Sequence, residues 1–224
     1  MTGSNMRTLR TLAPVIVAAL VLASCADGGG SEEPAASASP SPSSTVKVPE
    51  AVELTEVGAA LSFGDTATVI HEPDQKRGTV LDLTVKKVVK GTTADFSGFI
   101  LDDYTRSATP YYVTVTVKNV GEGDVGGGPV PVWGVDAENT LLPPASFTTT
   151  FRRCPSEPLP KAFAQGKTFA TCLVFLAPDK GTMEAVSYRP NQEFDPIEWT
   201  GEIVTPAPEP KKTERPKRKK SNRG

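Results

Sequence analysis

Few residues in this sequence are of a type and spacing that would do chemistry. Cysteines stand at 25, 154 and 172, and His71 is the one histidine. A Ser-His-Asp hydrolase would need His71 as its base, but no Gly-x-Ser-x-Gly elbow is present, and its place at a strand end reads as an ordinary exposed histidine. Asp102 and Asp103 are adjacent carboxylates. On a strand they would point to opposite faces, so the pair reads as a solvated acidic loop. Glu122 and Asp124 lie among Gly121, Gly123 and Gly126, but the EF-hand spacing that would hold calcium is missing. A tetrahedral zinc site wants four ligands, more than one histidine and these cysteines supply. The phosphate-cradling Gly-x-x-x-x-Gly-Lys pattern is also missing. No catalytic residue, metal or cofactor is therefore expected.

The N-terminal stretch carries an address. Arg7 and Arg10 precede an uncharged run at residues 11–22, too short to span a hydrocarbon core of ~20 residues comfortably but suited to a signal-peptide core. The alternative is a buried first helix of a cytosolic protein. Leu22-Ala23-Ser24-Cys25 resembles the lipobox of bacterial lipoproteins, with a small residue before the cysteine and an aliphatic one three before it. The resemblance implies a diacylglyceryl group on Cys25, which becomes the first residue after cleavage of residues 1–24. At ~0.8 kcal/mol per buried methylene, one acyl chain binds marginally and two hold stably. No second apolar run of spanning length follows. The expected location is the extracytoplasmic face of the cell membrane, anchored by lipid.

Residues 25–52 are rich in Gly, Ser, Pro and Ala and lack the apolar side chains that offset ordering entropy. They read as a disordered tether whose span, as a flexible coil, is roughly 25–30 Å. With Cys25 lipidated, Cys154 and Cys172 remain as an even pair in an oxidising compartment and are expected to form a disulfide. The loop it would close contributes about 3 kcal/mol in the chain-entropy model. Two free thiols are the other reading.

The body, residues 53–204, must position whatever function the chain has. Its clearest element is residues 111–119. Tyr111, Val113, Val115 and Val117 fall on one face of a strand; Tyr112, Thr114, Thr116 and Lys118 fall on the other and are expected to meet water. Asn119 to Asp124 ends the run with turn chemistry. Further strands are expected at 66–71, 79–89, 130–135, 146–151, 169–176, 183–188 and 197–203, about eight in all. The 79–89 run slips phase at Lys86-Lys87, as a bulge would cause. The 169–176 run is apolar on both faces and should be covered on both. Residues 91–109 lack a clean period and read as a long loop, functional or mobile. No stretch has a helical period, and short strands between turn signals predict an all-β antiparallel sandwich.

With a lipobox and a Ser/Pro tether, the segments LSFGDTATV, VTVTVKNVGEGDV, VPVWGVDAENTLL and AQGKTFATCLVFLAPDKG resemble actinobacterial cell-envelope lipoproteins with a secreted immunoglobulin-like domain of uncharacterised function. The likeness covers roughly residues 58–190. It implies an immunoglobulin-like β-sandwich of about 7–8 strands outside the cytoplasm, with no catalytic residues to carry over. Fold alone does not supply a function.

Residues 205–224 carry eight basic residues (Lys211, Lys212, Arg215, Lys217, Arg218, Lys219, Lys220, Arg223) against Glu209 and Glu214, a net charge of +6. Residues 25–204 hold 14 basic and 24 acidic residues, net −10. The tail is expected to be disordered and either simply solvated or drawn to an acidic surface, at ~1 kcal/mol per basic residue near charged lipid. The expected partners are the membrane through Cys25 and an envelope protein or acidic wall polymer; the compartment argues against nucleic acid. The sequence thus favours a non-enzymatic binding module over a solute-binding lipoprotein that serves a transporter, whose hosts are larger and α/β.

The anchor is open to a direct check. Cys25→Ala should accumulate an unprocessed precursor or release soluble protein, seen as altered mobility and fractionation. A variant that stays on the membrane with unchanged mobility would show that Cys25 carries no lipid.

Overall fold

A computed structural model describes residues 45–206. Cys25 and the basic tail residues lie outside the described residues. Within them the chain forms two five-stranded sheets facing each other across one core, an all-β sandwich. Its strands are β1 (Ala60–Ser62), β2 (Thr66–Asp74), β3 (Arg77–Lys90), β4 (Thr109–Asn119), β5 (Trp133–Asp136), β6 (Leu141–Leu142), β7 (Thr168–Ala177), β8 (Met183–Tyr188), β9 (Ile197–Thr200) and β10 (Ile203–Val204). The first sheet has the order β1-β9-β8-β5-β6; the second runs β10-β3-β4-β7, with β2 also pairing β3.

The long strands β3, β4 and β7 carry the architecture. Val113, Val115 and Val117 of β4 are fully buried between the sheets, with Leu81, Leu83 and Val85 of β3 and Phe175 of β7. Burying one such side chain contributes about 1.5–3 kcal/mol. The phase slip in β3 is a bulge. Val85 faces Val115 but Lys87 faces Thr114, so Lys86 is the extra residue and Val88 returns to the core.

Two departures from the expected strands share one cause. Residues 146–151 form no strand, and Tyr112 is buried on the face expected to meet water. Phe147 and Phe151 instead lie over the outer face of β4 and β7, where they join Phe96, Phe99 and Tyr112 in a second apolar cluster. Phe96 and Phe151 stand 4.9 Å apart between ring centroids, and Tyr112 and Phe151 5.8 Å. The disulfide between Cys154 and Cys172 ties this cover to β7. β7 is accordingly buried on both faces, as its unbroken apolar run required: Leu173 and Phe175 inward, Val174 outward.

Residues 91–109 hold a 3-10 turn at Thr93–Phe96 and a short helix α1 (Asp103–Ser107) where a bare loop was expected. Five residues are too few to show a helical period in sequence. The sheets are mainly antiparallel, as expected, with two parallel pairings at their edges. β1 pairs with β9, and β10 with β3, in parallel. Both pairings arise because the chain crosses from one sheet to the other twice at one corner, after β1 and after β9. Gly64 makes the first crossing at φ +107°, beyond the reach of ordinary side chains. Phe63 N–H donates to the Thr200 carbonyl, and the Trp199 indole N–H donates to the Asp65 carbonyl, so each crossing braces the other.

The facing of β4 yields a paired test. Val115→Asp would place an unpaired carboxylate in the core, and the loss should exceed a domain's marginal stability and abolish soluble expression. Thr114→Asp would sit beside Lys87 on the outer face and should be tolerated. Equal tolerance of the two, measured by urea denaturation, would reverse the facing.

Candidate functional site

The polar residues that attracted attention in the sequence are placed mainly by the fold's own needs. Asn119 is the clearest case. It is fully buried at the end of β4, and every polar atom of its amide is bonded. Its Oδ1 accepts from the Thr79 hydroxyl at 2.7 Å and the Gly121 N–H at 3.1 Å. Its Nδ2 donates to the carbonyls of Gly123 at 2.7 Å and Phe163 at 2.6 Å. The amide therefore fastens β3, the turn after β4 and the segment that precedes β7. Its parity with Val113, Val115 and Val117 was the available signal, since residue 119 falls on the same inward face.

Asp124 serves the same turn. Its carboxylate accepts from the N–H groups of Phe163 and Gly126, and these bonds, the one from Phe163 foremost, hold its pKa below the usual value. Gly121 and Gly123 are close-approach positions. A Cβ on Gly123 would come within 1.9 Å of the Gly78 carbonyl, and one on Gly121 within 2.4 Å of the Val80 nitrogen. The acidic, glycine-rich stretch is thus a packed turn in which backbone meets backbone. Among the described residues no cluster of His, Cys, Asp and Glu is disposed to hold a metal.

Beside this turn lies an open polar groove of about 330 Å³, bounded by residues 45–47, the β2–β3 hairpin and Glu122. Its charges largely answer one another. Arg77 Nε donates to Asp74 Oδ2 at 2.9 Å, and its Nη1 reaches the Gly126 carbonyl at 3.2 Å. Lys47 lies 3.9 Å from Glu122, and the Thr45 hydroxyl donates to Glu72 at 3.2 Å. Backbone N–H of Lys76 and then the Arg77 side chain keep the Asp74 pKa low.

His71 corrects an expectation. It faces inward on β2 and is 8% exposed, not an exposed strand-end residue. Its Nε2 has no hydrogen-bond partner. Burial, with a smaller contribution from Arg77, pushes its pKa down to about 4. The neutral imidazole lies on the inward face of β2, and the Tyr188 hydroxyl donates to the carbonyl of its neighbour Ile70.

The opposite end of the sandwich holds a second polar set that the sequence did not reveal. Asp95 accepts from the Tyr112 hydroxyl at 2.9 Å and pairs with Arg153 at 3.1 Å. Burial and Asp95 together raise the Tyr112 pKa well above its ordinary value. Asp95 joins three segments far apart in sequence, and no local pattern announces that. The two adjacent carboxylates divide as an acidic loop should. Asp102 caps α1, accepting from Thr105 N–H at 2.8 Å, and its pKa is lowered by bonds to the Thr105 side chain and backbone. Asp103 is exposed and pairs with Arg106 at 3.3 Å. Cys154 and Cys172 are brought together; Cys25 and the basic tail residues fall outside the described residues.

Because the folded state refuses a proton at His71 that the unfolded chain accepts, the stability tied to this residue is complete above pH 6.5 and declines as pH falls toward 4. The loss approaches about 3 kcal/mol. His71→Gln should remove that component, so the gap between the urea midpoints of variant and wild type should narrow or reverse from pH 7.5 to 4.5. Parallel profiles would show that His71 does not govern the acid response. In comparison with known proteins, no family model matches this chain, and neither a curated protein nor a solved structure matches it significantly.

Proposed function

We propose that this chain is a non-enzymatic lipoprotein, held by Cys25 on the extracytoplasmic face of the cell membrane, whose immunoglobulin-like sandwich binds another component of the envelope. One observation carries the reading: the side chains with chemical potential in the described domain are engaged in holding it together. Asn119 and Asp124 fasten a turn, Asp102 caps a helix, Asp95 ties Tyr112 to Arg153, and the imidazole of His71 is buried on the inward face of β2. What such a domain offers a partner is surface.

The lipobox-like sequence at residues 22–25 and the Cys154–Cys172 bridge both suit an oxidising, extracytoplasmic place. A solute-delivery role would call for an enclosed ligand cavity. The groove beside the β2–β3 hairpin is instead open, with its charged side chains largely paired.

Affinity purification of the full-length protein from detergent-solubilised envelope separates these readings. A stoichiometric protein or polymer partner is the expected outcome. A small molecule recovered in equimolar amount, with no macromolecule, would instead mark a carrier of solutes.

A further inference from the structure

The outer face of the first sheet carries a lateral row of unlike side chains. Trp133 of β5 stands opposite Ser187 of β8, and Ser187 opposite Glu198 of β9, with Ala60 of β1 beyond. Their neighbours along each strand fix which way the row points. Val186 and Tyr188 lie in the core on either side of Ser187, as Ile197 and Trp199 do on either side of Glu198. A Cβ on Gly134 would meet Met183 and the Phe175 ring, so β5 turns residue 134 inward and Trp133 outward. At ~4.8 Å between strands, the three steps of the row cover roughly 14 Å of sheet.

This row holds polar groups that the fold leaves unused. Three buried side-chain polar atoms among the described residues lack a hydrogen-bond partner, and two of them, Ser187 Oγ and Arg189 Nε, lie where β8 ends. Ser187 is fully buried, flanked in register by Trp133 and Glu198. Arg189, one residue past the strand, donates through Nη2 to the Gln192 carbonyl at 2.9 Å. Neither Arg189 nor Glu198 forms an ion pair among the described residues. Trp133 is half-buried and belongs to neither apolar cluster, whereas Trp199 sits in the core with its indole N–H on the Asp65 carbonyl. A buried hydroxyl without a partner destabilises the domain and calls for a reason other than packing.

The groups together suit a flat ligand rich in hydroxyls. An indole face is negative and attracts the C–H groups of a saturated ring. A carboxylate accepts from hydroxyls, and a guanidinium donates to them, in charge-assisted bonds. One anion and one cation cancel, so the face has no net pull on a polyanion. Its mixture of charge with a single aromatic is also unlike the charge-depleted centre of a protein interface. We propose that the outer face of β5, β8 and β9 binds a neutral glycan, with a pyranose ring stacked on Trp133 and its hydroxyls bonded by Glu198, Arg189 and Ser187. A sugar hydroxyl reaches Ser187 where the flanking side chains of Trp133 and Glu198 part. The length of the row exceeds one sugar ring and seats successive rings of a chain. This deepens the binding-module reading, on which it rests, by naming the face and the chemical class of the partner.

The test titrates the full-length protein, in a detergent without a sugar headgroup, with cellohexaose and chitohexaose, β-linked chains whose rings present flat C–H faces. Calorimetry should show saturable binding of at least one of them at roughly millimolar concentration or below. The chain has two tryptophans and Trp199 is 0% exposed, so a ligand-dependent shift in indole fluorescence reports Trp133. Trp133→Ala and Glu198→Gln should each weaken binding about tenfold or more. Circular dichroism checks that the variants fold, and Glu198→Gln keeps the test open if Trp133→Ala does not. Ser187→Ala separates recognition from packing. It removes an unpartnered hydroxyl, so it should hold or raise the urea midpoint and still weaken binding about threefold. Absence of binding to either oligosaccharide, or equal binding by wild type and all folded variants, would overturn the proposal and leave the binding-module reading to the envelope purification. Capture of an envelope protein by wild type but not by folded Trp133→Ala would also overturn it, because the face would then serve a protein while the binding-module reading stands.

Discussion

The buried amide of Asn119 is the interaction on which the rest of the sandwich depends. β4 is the hub of its sheet, and its last residue points into the core, where an apolar side chain would leave three polar groups without partners: the Thr79 hydroxyl and the carbonyls of Gly123 and Phe163. Asn119 satisfies the Thr79 hydroxyl, the Gly121 N–H and the carbonyls of Gly123 and Phe163 together. Its own backbone N–H donates to the Lys167 carbonyl, and its carbonyl accepts from Gly166 N–H. An unpaired buried polar group costs about 1–3 kcal/mol, so three left open would be comparable to the stability of a whole domain. The fully bonded network fixes the position of the segment that precedes β7, and with it the register of β7 on β4.

The same economy explains the other corner of the molecule. Two crossings between sheets would normally expose edges and leave backbone groups unpaired. Here they run side by side, so that the chain after β1 and the chain after β9 bond to each other. A Cβ on Gly201 would lie 2.7 Å from the Phe63 ring, and the space it leaves lets that ring close over the junction. β10, which emerges from the second crossing, fills the edge of β3 that β2 leaves bare beyond Thr84. One edge is thus covered twice, by different parts of the chain.

The fold class was legible because it rests on alternation, which is local. The inward set of β4, the double-sided burial of β7 and the bulge at Lys86 all follow from the order of apolar and polar residues over a few positions. What was not legible depends on contact between distant segments. Tyr112 reads as outward and is outward, yet it is buried, because Phe147 and Phe151 come from more than thirty residues away to cover it. Those two phenylalanines looked like strand residues for the same reason: alternation cannot tell a side chain that faces a sheet partner from one that lies over a neighbouring sheet. His71 reads as a strand end, but β2 continues to Asp74, and residue 71 keeps the inward parity of Ala67 and Val69. The site residues divide along the same line. The cysteine pair was countable, whereas the Asp95–Tyr112–Arg153 set joins three segments with no shared pattern.

Placement, more than reactivity, is what this architecture specifies. The polar groups of each end are held by bonds within the domain, and the disulfide fixes a cover of loop over one face without adding a reactive centre. The asymmetry that remains is between ends. At one, residues 45–47 meet the domain beside the ion pairs Lys47–Glu122 and Arg77–Asp74 and the Thr45–Glu72 hydrogen bond. The other releases the chain beside lysines that no carboxylate among the described residues neutralises within ion-pair distance. A single strand, β3, spans both ends, so their separation is set by a hydrogen-bonded length of backbone and not by loop geometry. Moving β10 toward residues 45–47 would require shortening β3, and that would strip partners from β2, β4 and β10 together. The separation of residues 45–47 from β10 is in this sense built into the same strand that builds the core.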